Sequence, residues 1–495
     1  MLFLSSDMIR EAEQKAMQNV SSMSLMENAA KACFDEIKGF DSVRIYCGKG
    51  NNGSDGYATA LLLKKHGKRV EIVQVSQPES EECKSLAEKA GEAGIPIQPF
   101  VTFPTEHFDC VLDAILGIGI RGEIVDSSIV SAIDMINSYE GCVVSCDIPS
   151  GMDADTGKAC GLCVRADKTI TFTAPKRGML SNESVEWCGE VVVAEVGIPV
   201  EYNNITQSTC VPITDKLVKS ILPRRARYSH KGTFGTAVIV AGSQTMSGAA
   251  AMAALSAQRS GCGLIKIIAP SPICAILNIL VKEAIIIPVP HQDGVMLPQL
   301  TDDAVNAIKT ADSILVGCGL GRGRHAELIT NVLNAADCPV IIDADGINAL
   351  VGKTEIIKNK NVLLTPHVKE FSRISGYEIS EIEAKRISLA DKFAREVGVN
   401  LLLKGARSVI TYGGSNKYVS LTSTSALAKA GSGDVLAGVI VSLAAQGISL
   451  TDSASAGCYI HSRAGALCEK EIGAYGTTID DIISKIPLAI KEVNF

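Results

Sequence analysis

Short runs of apolar residues alternate with longer segments of helical periodicity along the chain, and most runs end in a Gly- or Asp-rich turn. Strands that are apolar throughout are typical of a parallel sheet covered on both faces. The predicted strands are residues 43–47, 70–75, 110–116, 142–146, 168–171, 191–196, 237–240, 264–268, 313–316, 340–342, 362–364, 401–403 and 408–411. The predicted helices are residues 8–34, 57–65, 248–259, 326–335, 382–396 and 434–445. This alternation predicts an α/β fold with doubly wound sheets.

The two halves of the chain share this pattern but carry different motifs, and we find no internal repeat. The stretch 198–223 is turn-rich, and we place a domain boundary near residue 212. A length of 495 residues is consistent with two large domains. We therefore predict two domains, residues 1–212 with a Rossmann-like doubly wound sheet and residues 213–495 with a second α/β arrangement.

Charge and cysteine content narrow the possible partners. The 47 basic and 54 acidic side chains give a net charge of −7, with no basic surplus for nucleic acid. No apolar run reaches the roughly 18 residues that a membrane helix needs. Charged residues from Asp7 onward end the apolar start of the chain, so we expect no signal peptide. In a long chain of this kind, we expect the sixteen cysteines to be reduced thiols. We expect a cytoplasmic homo-oligomer with small-molecule ligands and neither nucleic-acid nor membrane partners.

Three polar loops follow predicted strands of the first half. They read C-G-K-G-N-N-G-S-D-G at 47–56, D-A-I-L-G-I-G-I-R-G at 113–122 and D-I-P-S-G-M-D-A-D-T-G at 147–157. Ligands of open parallel sheets bind at the carboxyl ends of the strands. Asn52, Asp113, Asp147 and Ser150 are therefore expected to converge. Their oxygen atoms suit a hard cation rather than zinc.

These loops resemble the N-terminal epimerase domain of the NAD(P)H-hydrate repair enzymes. The family patterns are N-N-G-G-D-G, D-x-x-x-G-T-G-x-x-G and D-x-P-S-G-x-x-x-D-T-G; here Ser54 replaces a Gly and Ile118 a Thr. The resemblance implies a potassium site at Asn52, Asp113 and Ser150, with Asp147 as the acid/base. It also implies that the hydrate is bound by Asn51, Asn52, Gly53, Ser54, Asp55, Gly117, Ile118, Gly119, Ile120, Arg121, Gly122, Glu123 and Asp147.

The sharpest motif of the second half is A-G-S-G-D-V-L-A-G at 430–438, directly before and within a predicted helix. The amides of Gly431 and Gly433 are placed to hold a transferring phosphoryl group at the start of the helix. Asp434 is then positioned to take the proton of a substrate hydroxyl. Further polar turns follow other strands, and His367 joins Asp343, Asn348 and Glu370 as a site candidate.

This set resembles the ribokinase-like dehydratase domain of the same family, over residues 213–495. The resemblance implies ADP or ATP with Mg²⁺, Asp434 as base, and a hydrate contacted by Ala249, Gly319, His367 and Asp434. The implied nucleotide contacts are Lys404, Gly405, Ala406, Arg407, Ser408 and Gly433. Three segments depart from the family: T-P-H-V-K-E at 365–370, G-C-G-L-G at 317–321, and 423–428, which lacks the usual Asn and Gly.

The resemblance implies a bifunctional enzyme that interconverts the R and S hydrates of NADH and NADPH and dehydrates the S form at the expense of ADP or ATP. The motifs alone also permit a ribokinase-type small-molecule kinase with a regulatory N-terminal domain. A non-catalytic, nucleotide-responsive interaction protein is a third interpretation. The presence of both domains on one chain favours the first.

Overall fold

The computed structural model describes residues 2–100, 106–198, 209–414 and 416–494. The chain divides into two compact units, residues 1–212 and 213–495. Both are α/β, as the alternation predicts. Residues 199–208 of the turn-rich stretch lie outside the described residues. Among the helices that are described, none is long and apolar enough to cross a membrane.

The N-terminal unit is built on a seven-stranded sheet with the order β3-β2-β1-β4-β5-β6-β7. Its strands are β1 (Ser42–Cys47), β2 (Arg69–Gln74), β3 (Ile97–Pro99), β4 (Cys110–Ala114), β5 (Cys142–Cys146), β6 (Lys168–Phe172) and β7 (Glu190–Ala194). Its helices are α1 (Ser6–Ala16), α2 (Ser22–Ile37), α3 (Asn51–Lys65), α4 (Glu81–Glu92), α5 (Ser127–Asn137) and α6 (Ser184–Cys188).

All pairings in this sheet are parallel, and the chain winds outward in both directions from β1 and β4. The carboxyl ends of β1 and β4 therefore form the switch point, where doubly wound sheets bind their ligands. Helix α3 starts directly at this edge. A Cβ on Gly56 would lie 2.7 Å from the Ala114 Cβ and 2.8 Å from the Cys47 Sγ, so only glycine lets the helix pack this closely on the sheet.

Two local predictions in this unit are wrong. The helical pattern at 8–34 is two helices, because the Ser21 side chain accepts a hydrogen bond from the Ser24 amide and caps a new start. The polar motif after β1 is not a loop ahead of a helix at 57–65. Helix α3 begins at Asn51, so the N-N-G-S-D-G residues form its first turns.

The C-terminal unit contains a ten-stranded sheet with the order β11-β10-β9-β14-β15-β16-β17-β18-β19-β8. Its strands are β8 (Thr209–Ile213, which contains the boundary), β9 (Thr236–Val240), β10 (Leu264–Pro270), β11 (Ile285–Val289), β14 (Ser313–Val316), β15 (Val340–Ile342), β16 (Val362–Leu364), β17 (Asn400–Leu403), β18 (Val409–Thr411) and β19 (Asn416–Ser420), with β12 (His291–Gln292) and β13 (Val295–Met296) as a separate pair. Its helices are α7 (Asp215–Ile221), α8 (Ser247–Arg259), α9 (Cys274–Leu280), α10 (Asp302–Lys309), α11 (His325–Ala335), α12 (Asp345–Ala349), α13 (Val368–Ser375), α14 (Ile379–Ala384), α15 (Arg386–Val397), α16 (Ser432–Ala445), α17 (Leu450–Ile472) and α18 (Ile479–Asn494).

Strands β11 to β17 of this order run parallel, and β18 turns back antiparallel to β17. Helix α16, buried along almost its whole length, packs closely on α8. A Cβ on Gly438 would lie 2.1 Å from both the Ala253 carbonyl oxygen and the Ser256 Oγ. This contact sets the position of the helix that begins with the 430–434 motif.

Three predictions in this unit differ from the structure. The stretch 209–221 is strand β8 and helix α7 rather than turns. The predicted helix at 382–396 is interrupted at Lys385 and forms α14 and α15. Strands β11 and β19 lie beyond the predicted set, β19 because Asn416–Ser420 begins with polar residues.

Candidate active sites

Asp113 lies at the end of β4 and is completely buried. Its carboxylate accepts hydrogen bonds from the Ser150 amide at 2.8 Å, the Ser145 hydroxyl at 2.9 Å, the Ile115 amide at 3.3 Å and the Ser150 hydroxyl. Burial raises the pKa of Asp113, and the hydrogen bonds from Ser150 oppose that rise. All these donors are neutral, so an ionised Asp113 would be a buried negative charge without a counter-charge among them.

The structure brings the predicted ion ligands together around the Leu116 carbonyl. The Asn52 amide nitrogen donates to this oxygen at 3.1 Å, and the Ser150 hydroxyl lies 3.3 Å from it. Side-chain and backbone oxygens around one buried carboxylate form a donor set that fits a hard monovalent cation. Asn52, Asp113, Ser150 and the Leu116 carbonyl would hold it.

Asp147 follows β5 and forms an ion pair with Lys176, whose side chain is buried. The Lys176 ammonium also donates to the Thr171 hydroxyl at 2.9 Å and to the Phe172 carbonyl at 3.1 Å. The Phe172 amide donates to the Asp147 carboxylate at 3.1 Å. These contacts fix the position of the Asp147 carboxylate at the end of β5.

Asp147 and Thr173 adopt the same uncommon backbone conformation at the ends of the neighbouring strands β5 and β6. Their φ angles are +64° and +69°. In each turn, the amide of the next residue donates to the carbonyl of the previous residue, at 2.9 Å around Asp147 and 2.7 Å around Thr173. Such tight turns are rare and strained for residues other than glycine, and strain of this kind clusters at functional sites. Within the described part of the chain, the buried Thr173 hydroxyl has no hydrogen-bond partner.

Two further carboxyls lie near Asp147. Burial raises the pKa of Asp55 well above its usual value, and the charges of Asp147 and Glu13 raise it further. Burial also raises the pKa of Glu13, with a further contribution from Asp147, whereas Lys176 and Arg10 lower it. Glu13 on α1 and Lys176 are site residues that the sequence analysis missed, because neither belongs to a recognisable motif.

The remaining predicted residues of this site surround the same edge. Asn51 is exposed and Gly53, Ser54 and Asp55 are buried in the first turns of α3. The amides that open this helix receive no side-chain cap from the described residues. Gly117, Ile118, Gly119, Ile120, Arg121, Gly122 and Glu123 form a partly exposed turn after β4.

In the C-terminal unit, an ion pair joins the ends of two strands. Lys404 after β17 donates to Asp343 after β15, with 2.8 Å between Nζ and Oδ1, and Thr365 after β16 donates to the same oxygen at 2.8 Å. Cys318 after β14 is buried, with its Sγ 4.0 Å from the Asp343 Oδ2. The carboxyl ends of four neighbouring parallel strands therefore meet in one polar cluster.

Asp434 lies above this cluster in the first turn of α16. One ligand atom from each of Cys318, Asp343 and Asp434 lies within 4.8 Å of the others. Burial raises the pKa of Asp434 to about 6, and the Asp343 charge adds to this, whereas Cys318 and Lys404 oppose it. A carboxyl with this pKa is suited to exchange protons near neutral pH.

The start of α16 is open to an anion. Gly431 takes φ +91°, and no described side chain caps the helix amides. A Cβ on Gly433 would lie 3.3 Å from the Lys404 ammonium, so this glycine leaves room beside the cation. Bare amides and a neighbouring ammonium can bind a phosphate group.

The predicted nucleotide residues after β17 divide into two groups. Gly405 and Ala406 are exposed, whereas Arg407 and Ser408 are buried. The Arg407 guanidinium donates to the Leu421 carbonyl at 2.7 Å, and the Ser408 hydroxyl donates to the Gly405 carbonyl at 2.9 Å. In this structure the loop tip is presented to solvent while the Arg407 side chain supports the loop from inside.

The predicted hydrate contacts of this unit lie at neighbouring strand ends. A Cβ on Gly319 would lie 2.7 Å from the Ala249 Cβ, so these two residues touch. His367 caps α13: its Nδ1 accepts from the Lys369 amide at 3.1 Å, and Glu370 accepts from the His367 amide at 2.9 Å. Burial lowers the pKa of His367, which favours the neutral ring that this cap requires.

Comparisons with known proteins match a family to each of the two units. A family model described as NAD(P)H-hydrate dehydratase matches residues 237–488, and one described as YjeF-related protein N-terminus matches residues 22–178. A ribokinase-like superfamily protein from Enterococcus faecalis has a similar structure over 57% of this chain and 96% of its own, with a TM-score of 0.51 and 23% identity.

The C-terminal unit is thus an α/β domain of the ribokinase-like class. Proteins named bifunctional NAD(P)H-hydrate repair enzyme Nnr are similar over nearly the full length. The one from Moorella thermoacetica is 31% identical over 96% of this chain and 93% of its own. The one from Dictyoglomus turgidum is 32% identical over 100% and 99%. The chain belongs to the family of bifunctional NAD(P)H-hydrate repair enzymes.

Proposed function

We propose that this chain repairs hydrated NADH and NADPH in two steps, using one unit for each. The N-terminal unit interconverts the R and S hydrates, and the C-terminal unit dehydrates the S form at the expense of ADP or ATP. The observation that carries this proposal is the position of Asp434, a carboxyl with a pKa of about 6 beside the uncapped start of α16.

In the dehydration step, Asp434 accepts the proton of the substrate hydroxyl as the hydroxyl oxygen attacks the terminal phosphorus of the nucleotide. The bond from that phosphorus to the bridging oxygen breaks, and the nucleotide leaves with one phosphate fewer. The α16 amides and Lys404 stabilise the charge that develops on the phosphoryl oxygens. The hydroxyl then leaves as phosphate, which is a far better leaving group than hydroxide. The adjacent ring carbon gives a proton to solvent, and the electron pair of its C–H bond restores the double bond.

Magnesium accompanying the nucleotide would neutralise phosphate charge. The carboxylate oxygens of Asp343 and Asp434 are the kind of ligand that Mg²⁺ prefers, whereas the Cys318 thiol is not. Gly405, Ala406 and Gly433 are proposed to contact the nucleotide. Ala249, Gly319 and His367 are proposed to contact the hydrate.

In the epimerisation step, Asp147 is the proton acceptor, positioned by its ion pair with Lys176. Potassium at Asn52, Asp113 and Ser150 would supply the positive charge that the buried Asp113 carboxylate lacks. It would thereby hold the turn after β4 in place. The turn at 117–123 and the start of α3 are proposed to bind the hydrate.

The test is to incubate the full chain with NADH hydrate and either ADP or ATP. Return of the dihydronicotinamide absorbance band supports repair. A stable phosphorylated small molecule without that return would instead identify a ribokinase-type kinase. No turnover with either class of substrate would leave a nucleotide-responsive interaction protein. We also propose that the chain is a cytoplasmic homo-oligomer, which cell fractionation and light scattering would test.

A further inference from the structure

Helix α1 is attached to the segments of the N-terminal site, although it precedes residues 22–178, which the family model matches. Just before the helix, Leu4 exchanges backbone hydrogen bonds with the chain around Lys176, at 3.0 and 2.7 Å. At its start, the Ser6 amide and hydroxyl donate to the Asp155 carboxylate at 2.8 and 2.6 Å. These contacts connect α1 to two of the segments that form the site.

Two more contacts attach the same helix to a third segment, the 117–123 turn. The Arg10 guanidinium donates to the Ile118 carbonyl at 3.1 Å. Arg121 pairs with Asp7 at 3.0 Å. Since the 117–123 turn is proposed to bind the hydrate, helix α1 lies at the edge of that proposed site.

Glu13 lies one turn beyond Arg10 on this helix and is partly buried. The groups whose charges reach it come from three places: Arg10 on α1, Asp147 after β5 and Lys176 after β6. After burial, the charges of Asp147 and Glu13 also raise the pKa of Asp55 on α3. Burial and the Asp147 charge raise the pKa of Glu13, so it holds its proton more firmly than an exposed glutamate does.

We propose that Glu13 is the second proton-transfer residue of the epimerisation site, acting as the acid opposite the base Asp147. This inference rests on the proposed epimerase function and adds a residue to it. It is carried by the attachment of α1 to the three site segments through Ser6 and Arg10. Helical spacing places the partly buried Glu13 on the same face of α1 as these two residues.

The step balances without any further reactant. Asp147 takes the proton of the ring-carbon hydroxyl, and the bond from that carbon to the ring nitrogen breaks, with its electron pair going to nitrogen. Glu13 gives its proton to the nitrogen, which leaves an open-chain aldehyde. After rotation, the nitrogen attacks the other face of the aldehyde and returns its proton to Glu13. The new alkoxide takes the proton back from Asp147, giving the opposite epimer.

The experiment uses the full chain, a single hydrate epimer without nucleotide, and chromatographic separation of the two epimers, with the spontaneous rate subtracted. Glu13→Gln should lower the epimerisation rate by about 10²- to 10⁴-fold. Dehydration of the S hydrate with ATP should be unchanged, which reports that the C-terminal unit is folded. An unchanged unfolding transition of the N-terminal unit reports the same for the unit that carries Glu13. Glu11→Gln is the matched control, because Glu11 is exposed on the same helix and pairs with Lys15.

A pH profile separates an acid from a structural residue. The wild-type rate should fall on the alkaline side as Glu13 loses its proton, Glu13→Asp should keep that fall, and the residual rate of Glu13→Gln should lack it. A Glu13→Gln rate equal to that of the control, or an unchanged alkaline fall, overturns the inference and leaves the epimerase function standing. Loss of the fall in Asp55→Asn instead would assign the acid to Asp55. A wild-type chain that does not epimerise at all would remove the function and the inference together.

Discussion

Lys404 donates to Asp343 across the intervening strand β16, with 2.8 Å between the ammonium nitrogen and the carboxylate oxygen. Both side chains are largely buried, at 19% and 2% exposure. The pair joins the ends of β15 and β17 directly below Asp434. Lys404 is therefore both a partner for an incoming phosphate and the counter-charge of a buried carboxylate.

Lys404→Met should destabilise the C-terminal unit, because it leaves Asp343 buried and unpaired. Removing one partner of a buried pair costs about 3–5 kcal/mol. Urea denaturation followed on the transition of this unit measures the loss. Asp343→Asn combined with Lys404→Met should recover much of it, since the buried charge is then gone; a double variant as unstable as the sum of the single ones would argue against the pair.

Asp434→Asn should abolish dehydration while leaving nucleotide binding and epimerisation intact. An amide cannot accept the hydroxyl proton, and loss of such a base typically lowers the rate by about 10²- to 10⁴-fold. Calorimetric titration with ATP and the epimerisation assay verify that the rest of the chain works. Asp480→Asn, an exposed aspartate in the first turn of α18, serves as the control. Full dehydratase activity in Asp434→Asn would contradict the proposed base.

The dehydratase should lose activity below about pH 6, because Asp434 has a pKa of about 6 and must be ionised to accept a proton. The profile of kcat/KM should be level above that value and fall about tenfold per pH unit below it. Lys404 lowers the pKa of Asp434, whereas Asp343 and Asp345 raise it. In Lys404→Met the acid limb should consequently move to higher pH, and an unmoved limb would assign it to another group.

Epimerisation should depend on potassium. Complete replacement of the potassium in the buffer by a large organic cation should slow the conversion of one hydrate epimer into the other. Added potassium should restore the rate. Asp113→Asn should show a weak rate that no longer responds to potassium, because the carboxylate that would bind the ion is gone. Equal wild-type rates in the two salts would remove the ion from the mechanism.

Gly438→Ala should destabilise the C-terminal unit and impair dehydration together. The added methyl would meet the Ala253 carbonyl at 2.1 Å, and overpacking of this kind costs about 1–3 kcal/mol. Gly248→Ala in α8 is a suitable comparison, since nothing lies within 4 Å of its Cβ position. Thermal unfolding should separate the two variants; equal stabilities would show that α8 moves aside freely.

The apolar runs predicted most of the strands because both sheets are parallel and buried on both faces. Runs such as 142–146 and 313–316 coincide with β5 and β14. The pattern failed where burial is incomplete, as in the short strand β3 with its exposed Gln98 and Pro99. It also failed at helix starts, because the polar residues that open α3 resemble a loop in sequence although their backbone is helical.

The positions of candidate-site residues at strand ends and at a helix start could be predicted where chemistry and motif coincide, as for Asp113, Asp147 and Asp434. Lys176 and Glu13 escaped prediction because their proposed roles depend on tertiary placement. Lys176 is one of two adjacent basic residues after a strand, and Glu13 is one of several acidic residues on an amphipathic helix. The burial of Arg407 was likewise invisible in the sequence, since a basic residue in a glycine-containing loop is usually exposed.

The contact of Gly438 with Ala253 lies one helical turn after Asp434. With a carbonyl and a hydroxyl pressed against that glycine, α16 can neither slide along its axis nor rotate without collision. Adaptation of this fold to another small alcohol can change the turns around the Asp434 carboxylate, but not the position of that carboxylate relative to α8. Changes of substrate are thus confined to the turns around the site, while Asp434 keeps its position.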